Sequence, residues 1–88
     1  MEFEWDEAKA ARNLEKHGVA FEVVYRLDWA NAIIRLDERV DYGEQRWQSL
    51  HIDEDGRRYV VAFTERNGRL RVIVVRRAHA KEQGKWAR

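Results

Sequence analysis

An 88-residue chain has room for one modest core, and 44% hydrophobic with 38% charged residues reads as globular rather than disordered. No apolar run approaches the roughly 20 residues of a bilayer span. The N-terminus lacks the basic start and apolar middle of a signal peptide, and the absence of cysteine removes disulfides and thiolate metal sites. A reducing cytoplasm is the expected location.

The net charge of +1 conceals an uneven distribution. Residues 1–65 hold nine Lys/Arg against fifteen Asp/Glu, whereas residues 66–88 hold eight Lys/Arg against Glu82 alone. A basic end on an acidic body suits a polyanionic partner or a solvated basic helix, and charge alone favours neither.

With no proline, repeat or linker, one domain is expected over residues 1–88. Phe3 to Trp5 reads as a short strand leading into a helix. Asp6 is a good N-cap, residues 7–17 are rich in helix formers, and Gly18 sits where a C-cap glycine belongs. Helical spacing of Phe21, Val24, Tyr25 and Asp28 predicts a second, shorter helix. Strands are expected at Ala32–Leu36, Glu44–Ile52, Tyr59–Glu65 and Arg69–Arg76. Asn67-Gly68 marks a tight hairpin between the last two. Both of those are apolar on successive residues, which predicts central strands with both faces covered. A C-terminal helix over about Ala78–Trp86 completes the order. Its interior Gly84 costs roughly 1 kcal/mol relative to Ala. The expected fold is α+β: a short N-terminal strand, two helices, a four-stranded antiparallel meander and a last helix.

Three stretches resemble one family in particular. FEWDEAKAARNLEKHGVAFE fits the pattern F-x-W-D-x-x-K-x-x-x-N-x-x-K-H-G-V-x-F, DERVDYGEQRW is similar to D-x-x-Y-G-E-x-R and meets it at Tyr42, Gly43, Glu44 and Arg46, and AFTERNGRLRVIVVRRAHAKE is similar to F-T-x-R-x-x-x-x-R-x-I-S-x-R-x-A. In this order they resemble the BrnT toxins of bacterial toxin–antitoxin systems over most of the chain. The resemblance implies a RelE-like fold, RNA cleavage that arrests translation, and neutralisation by a BrnA-like antitoxin that itself binds operator DNA. It also implies a heterotetramer with two copies of each chain. Two positions depart from the pattern: Val74 stands in place of the serine of R-x-I-S-x-R, and the tail AKEQGKW differs from the usual charged tail ending in tyrosine.

RNA supplies its own nucleophile, the 2′-hydroxyl. Cleavage without metal therefore needs a general base, a general acid and cations aimed at the phosphate. Five residues are the candidate catalytic set. Lys16 and His17 end the first helix, where they serve acid–base chemistry or simply complement the helix dipole. Glu44 and Arg46, two apart at the start of a strand, are expected on one sheet face as a base and an anchor or as an ordinary ion pair. The guanidinium beside Glu44 weakens it as a base. Arg76 ends an apolar strand at the sheet rim and matches the family's arginine. Arg77 next to it must face the other way.

Lys9 and Arg12, which form a basic stripe with Lys16, join Tyr42, Arg66 and Arg77 as candidate RNA-binding residues. His51 reads as a packed or edge strand histidine and His79 as a surface helix residue. The tryptophans read as core, except that Trp86 either closes the last helix onto the sheet or presents a surface to the antitoxin. Scattered histidines, with no HExxH or glycine-rich loop, predict neither metal nor nucleotide cofactor. The alternative to a ribonuclease is a non-catalytic module that binds nucleic acid or the antitoxin.

Overall fold

The computed structural model describes residues 1–86. In chain order they form β1 (Phe3–Glu4), α1 (Glu7–His17), a 3-10 helix (Phe21–Arg26), β2 (Ile33–Asp37), β3 (Arg46–Ile52), β4 (Arg58–Arg66), β5 (Arg69–Arg77) and α2 (Ala80–Gln83). The strands make one mixed sheet in the order β1-β5-β4-β3-β2.

Strands β2 to β5 are the expected antiparallel meander, but the sheet has a fifth member. β1 adds parallel to β5, placing Phe3 beside Leu70 and Glu4 beside Arg71. Two further expectations are corrected. The second helix is a 3-10 helix ending at Arg26, and the C-terminal helix shrinks to the four residues of α2, followed by a turn. Among the described residues, no helix is long and apolar enough to cross a membrane.

Local chemistry explains the elements that were legible. Asp6 accepts from the backbone N–H groups of Ala8 (2.8 Å) and Lys9 (3.1 Å), capping α1. Gly18, at φ 71°, ends α1 in the left-handed region that a Cβ disfavours, and its N–H donates to the Leu14 carbonyl. Asn67 and Gly68 both take positive φ, as a two-residue hairpin requires.

One sheet face carries the core. Tyr59, Val61 and Phe63 of β4 and Val72 and Val75 of β5 pack under Val19, Phe21, Val23, Val24 and Leu27 from the segment after α1. Phe21, Val24, Val61 and Val75 are fully buried, each favourable by roughly 1.5–3 kcal/mol. Between Ala62 and Phe63 the register to β5 shifts, leaving Ile73 as an extra residue. This bulge puts Val72 and Val75 on the same face and accounts for the unbroken apolar run in β5.

The opposite face lacks the second covering layer expected from that run. Among the described residues it is covered only at one end, where Trp86 packs with Ala78 on Leu50 and Val60. Trp86 thus closes the C-terminal segment onto the sheet.

Helix α1 lies against β5 and is tied there by a single side chain. The Asn13 amide donates to the Val75 carbonyl (2.8 Å) and the Val19 carbonyl (2.9 Å) and accepts from the Val75 N–H (3.2 Å). β1 pairs with β5 only at Leu70 and Arg71, so Asn13 occupies the ladder position that β1 leaves empty beside Val75.

Candidate active site on the open sheet face

Register decides what the open face displays, because partners in an antiparallel pair point the same way. One row reads Ile33, Leu50, Val60 and Arg76, and the next reads Arg35, Gln48, Ala62 and Val74. Beyond these, Asp37 pairs with Arg46 and Thr64 with Arg71. The floor is therefore small or neutral, with Gln48, Ala62, Val74 and Thr64, and arginines stand around it. Val74, where the family pattern has serine, is part of that floor.

At one end the face deepens into a cleft of about 430 Å³ whose lining includes Arg35, Arg39, Arg76, His79, Glu82 and Trp86. Arg76 presents both terminal nitrogens to the Glu82 carboxylate, at 2.9 and 2.6 Å. That pairing holds the Glu82 carboxyl below its usual range and the Arg76 guanidinium above its own. Arg35 stacks 3.7 Å over the Trp86 ring and donates to Gln48 at 3.2 Å. Arg39 grips Asp37 through two nitrogens at 2.9 Å each, which lowers the Asp37 carboxyl to about 2.

The second cluster lies at the other end of β3. Glu44 accepts from Arg66 (3.1 Å) and Arg46 (3.3 Å), and these two bonds, Arg66 first, keep its carboxyl below the normal value. Arg46 lies 4.1 Å over the Tyr42 ring, and the Tyr42 hydroxyl donates to Asp37 (3.2 Å). Asp37 therefore joins the two clusters, bonded to Tyr42 of one and Arg39 of the other. Glu44 does not open β3 as expected. It lies in the preceding loop, where Gly43 at φ 75° bends the chain and its N–H is held by Asp41.

The remaining predicted residues lie to the side. Lys9, Arg12, Lys16 and His17 border a groove that reaches Ile73 and Val74 along the β5 edge, next to the open face. His17 also lines a separate depression with Arg26, Tyr59 and Arg77. Partial burial, then the charges of Lys16 and Arg76, push its imidazole below 6.5. Arg77 does face away from Arg76, and its guanidinium sits 5.4 Å over Tyr59 on the covered side. The predicted catalytic set is thus divided among three neighbouring places.

Sequence reasoning missed Arg35, Arg39 and Glu82, and set His79 aside. Only the approach of the loop after β2 to the C-terminal turn brings them together. The basic tail is also less free than its composition suggests. Arg66, Arg69, Arg71 and Arg76 are paired with Glu44, Glu2, Glu4 and Glu82, and Arg88 lies outside the described residues. Among the described residues, no three His, Asp or Glu side chains group as metal ligands.

Fold and site together define a small α+β protein with a cationic, open sheet face. The family model described as the ribonuclease toxin BrnT of type II toxin–antitoxin systems matches residues 5–82. Among solved structures, the 1.1 Å crystal structure of the Brucella abortus ribonuclease toxin BrnT is similar in fold. Its TM-score is 0.60 at 22% identity, over 90% of this chain and 97% of that one. No curated protein matches the chain. The chain belongs to the BrnT family of ribonuclease toxins.

Proposed function

We propose that this toxin is an endoribonuclease that cleaves RNA by attack of the 2′-hydroxyl, without metal, on the open sheet face. The observation that carries the reading is Arg76. Its guanidinium is already held at two points by a carboxylate, in the fork geometry that also fits a phosphate, within a cleft shared with Arg35 and Arg39. A phosphate replacing Glu82 there meets the same paired donors for the charge that develops as its bonds rearrange.

The Glu44–Arg46 cluster and Arg76 are separated by two strands and about four residues along them, roughly 17 Å at standard spacings. They therefore serve successive positions along an RNA strand. Arg46 and Arg66 hold backbone phosphates, Tyr42 offers a stacking face, and Lys9, Arg12 and Lys16 extend the track along the β5 edge. Arg77 and His17 sit beyond that edge and contribute at its margin. Glu44 is stabilised as a carboxylate by two arginines and acts as an anchor for them rather than as a base.

As a type II toxin the protein has an antitoxin partner and an RNA substrate. The 3-10 helix packed on one face of an antiparallel meander, with α1 beside β5, supports a RelE-like description. We read the partner as a BrnA-like antitoxin in a two-plus-two heterotetramer that contacts operator DNA only through the antitoxin, in the cytoplasm. Ile33, Ile34, Leu36 and Val40, exposed on and beside the outer strand β2, are the kind of apolar surface that a protein partner covers.

The test is incubation of antitoxin-free protein with RNA in EDTA, with and without ribosomes. Cleavage is expected, and Arg76→Ala is expected to lower it by about 10²–10³-fold with the fold intact. Intact RNA under both conditions, or an unchanged rate for Arg76→Ala, overturns the reading.

A further inference from the structure

Of the three histidines, only one shares the cleft of Arg76. His51 is buried on the covered face, with one ring nitrogen 2.8 Å from the Ser49 hydroxyl and the other 3.4 Å from the Asp28 carbonyl. His17 feels the Arg76 charge but lines depressions beside β5 that do not include Arg76. His79 alone lines the Arg76 cleft.

We propose that His79 is the general acid of cleavage, giving its proton to the 5′-oxygen that leaves beside Arg76. The proposal rests on the RNA-cleaving reading of this cleft. His79 occupies the N-cap of α2, and Glu82 three residues on reaches back to its main-chain N–H, as in half of a capping box. The same carboxylate grips Arg76. In the unliganded chain one acid therefore brings the backbone of His79 and the side chain of Arg76 to the same end of the cleft, and a phosphate that takes the place of Glu82 on Arg76 arrives beside His79. The His79 ring makes no hydrogen bond among the described residues and is exposed, so it is available to substrate.

Among the described residues, the charged groups that line the cleft with His79 are Glu82, Arg35, Arg39, Arg76, Lys81 and Lys85. Arginine keeps its proton in any protein, whereas imidazole exchanges one near neutral pH. The arginines therefore suit the non-bridging oxygens and His79 the leaving group. In the step itself, the 2′-oxygen bonds to phosphorus as its proton passes to water. The P–O5′ bond breaks, and His79 protonates the departing 5′-oxygen. The products are a 2′,3′-cyclic phosphate and a 5′-hydroxyl, and water returns the proton to His79.

The experiment compares wild type with His79→Asn and the larger His79→Gln on two oligoribonucleotides, in EDTA. One is ordinary RNA, and the other carries a bridging 5′-sulfur at the mapped cleavage position, whose thiolate leaves without protonation. Both variants are expected to lose about 10²-fold or more on ordinary RNA. They are expected to cleave the sulfur-bridged substrate at close to the wild-type rate, with thermal midpoints unchanged. Equal losses on both substrates, or a retained rate on ordinary RNA, overturn the assignment. A wild-type protein that cleaves neither removes the RNA-cleaving reading as well, and so is told apart from failure of His79 alone.

Discussion

Asn13 joins α1 to the free edge of β5 through both ends of its amide. Only 6% of its surface is accessible, and its amide serves two carbonyls and one N–H, the Val75 pair and Val19. Two acceptors and one donor around it fix the amide orientation, since the oxygen cannot face a carbonyl. Asn13→Ala leaves all three backbone groups without this partner, next to Val75, which is itself fully buried. Each unsatisfied buried group costs about 1–3 kcal/mol, and solvent entering at the exposed edge of α1 recovers part of that. We expect a net loss of about 3 kcal/mol. At roughly 4–8 °C per kcal/mol for a domain of this size, the thermal midpoint falls by about 12–24 °C. Urea unfolding followed by tryptophan fluorescence measures the free energy, and circular dichroism the midpoint. Asn13→Asp is the sharper variant: it keeps the acceptor for Val75 but turns a carboxylate towards two carbonyls. Its folded-state pKa is therefore raised, so it loses stability as pH rises and regains part of it as the carboxyl protonates. A loss of under about 0.5 kcal/mol for Asn13→Ala would refute the assignment of Asn13 as the strand-edge clamp, given how little surface substitutions cost.

Two other changes test the frame of the site. Trp86→Ala uncovers Leu50 and Val60 and takes away the ring under Arg35, so a loss of about 3 kcal/mol is expected together with weaker RNA binding. Unaltered urea midpoints would mean that the C-terminal turn does not hold the cleft end closed. Burial pushes the His51 imidazole below 6.5, so the fold favours the neutral ring. Its contribution is complete above that pH and declines as pH falls through the lowered folded-state value, with His17 adding in the same direction. Comparing stability at pH 7.5 and 5 should show the decline, and His51→Leu should flatten most of it. An equal pH slope in that variant would contradict the assignment of the decline to His51.

Among the candidate site residues, what was legible depended on how locally each was determined. Arg76 and Arg77 were placed on opposite faces by strand alternation alone, which the register upholds. Glu44 and Arg46 were read as partners from their spacing and are bonded, though through a loop turn rather than a shared strand. Lys16 and His17 sit at the α1 terminus as expected, yet in a neighbouring groove. Arg39 carried no local sign of function, because what matters is its approach from the β2–β3 loop to a turn some forty residues later.

Capping chemistry at Asp6 and Gly18, the Asn67-Gly68 turn, strand alternation and the three ordered motifs are properties of neighbouring residues. They therefore set the meander, the first helix, the family resemblance and the sign of charge at the C-terminal end. Tertiary structure decided the rest. β1 joins β5 across more than sixty residues with no turn to announce it, and the Ile73 bulge resets which valines face the core. The short α2 leaves one sheet face largely open. Glu82 brings Arg76 and His79 into one cleft, a pairing that arises only once the end of the chain folds back over the sheet.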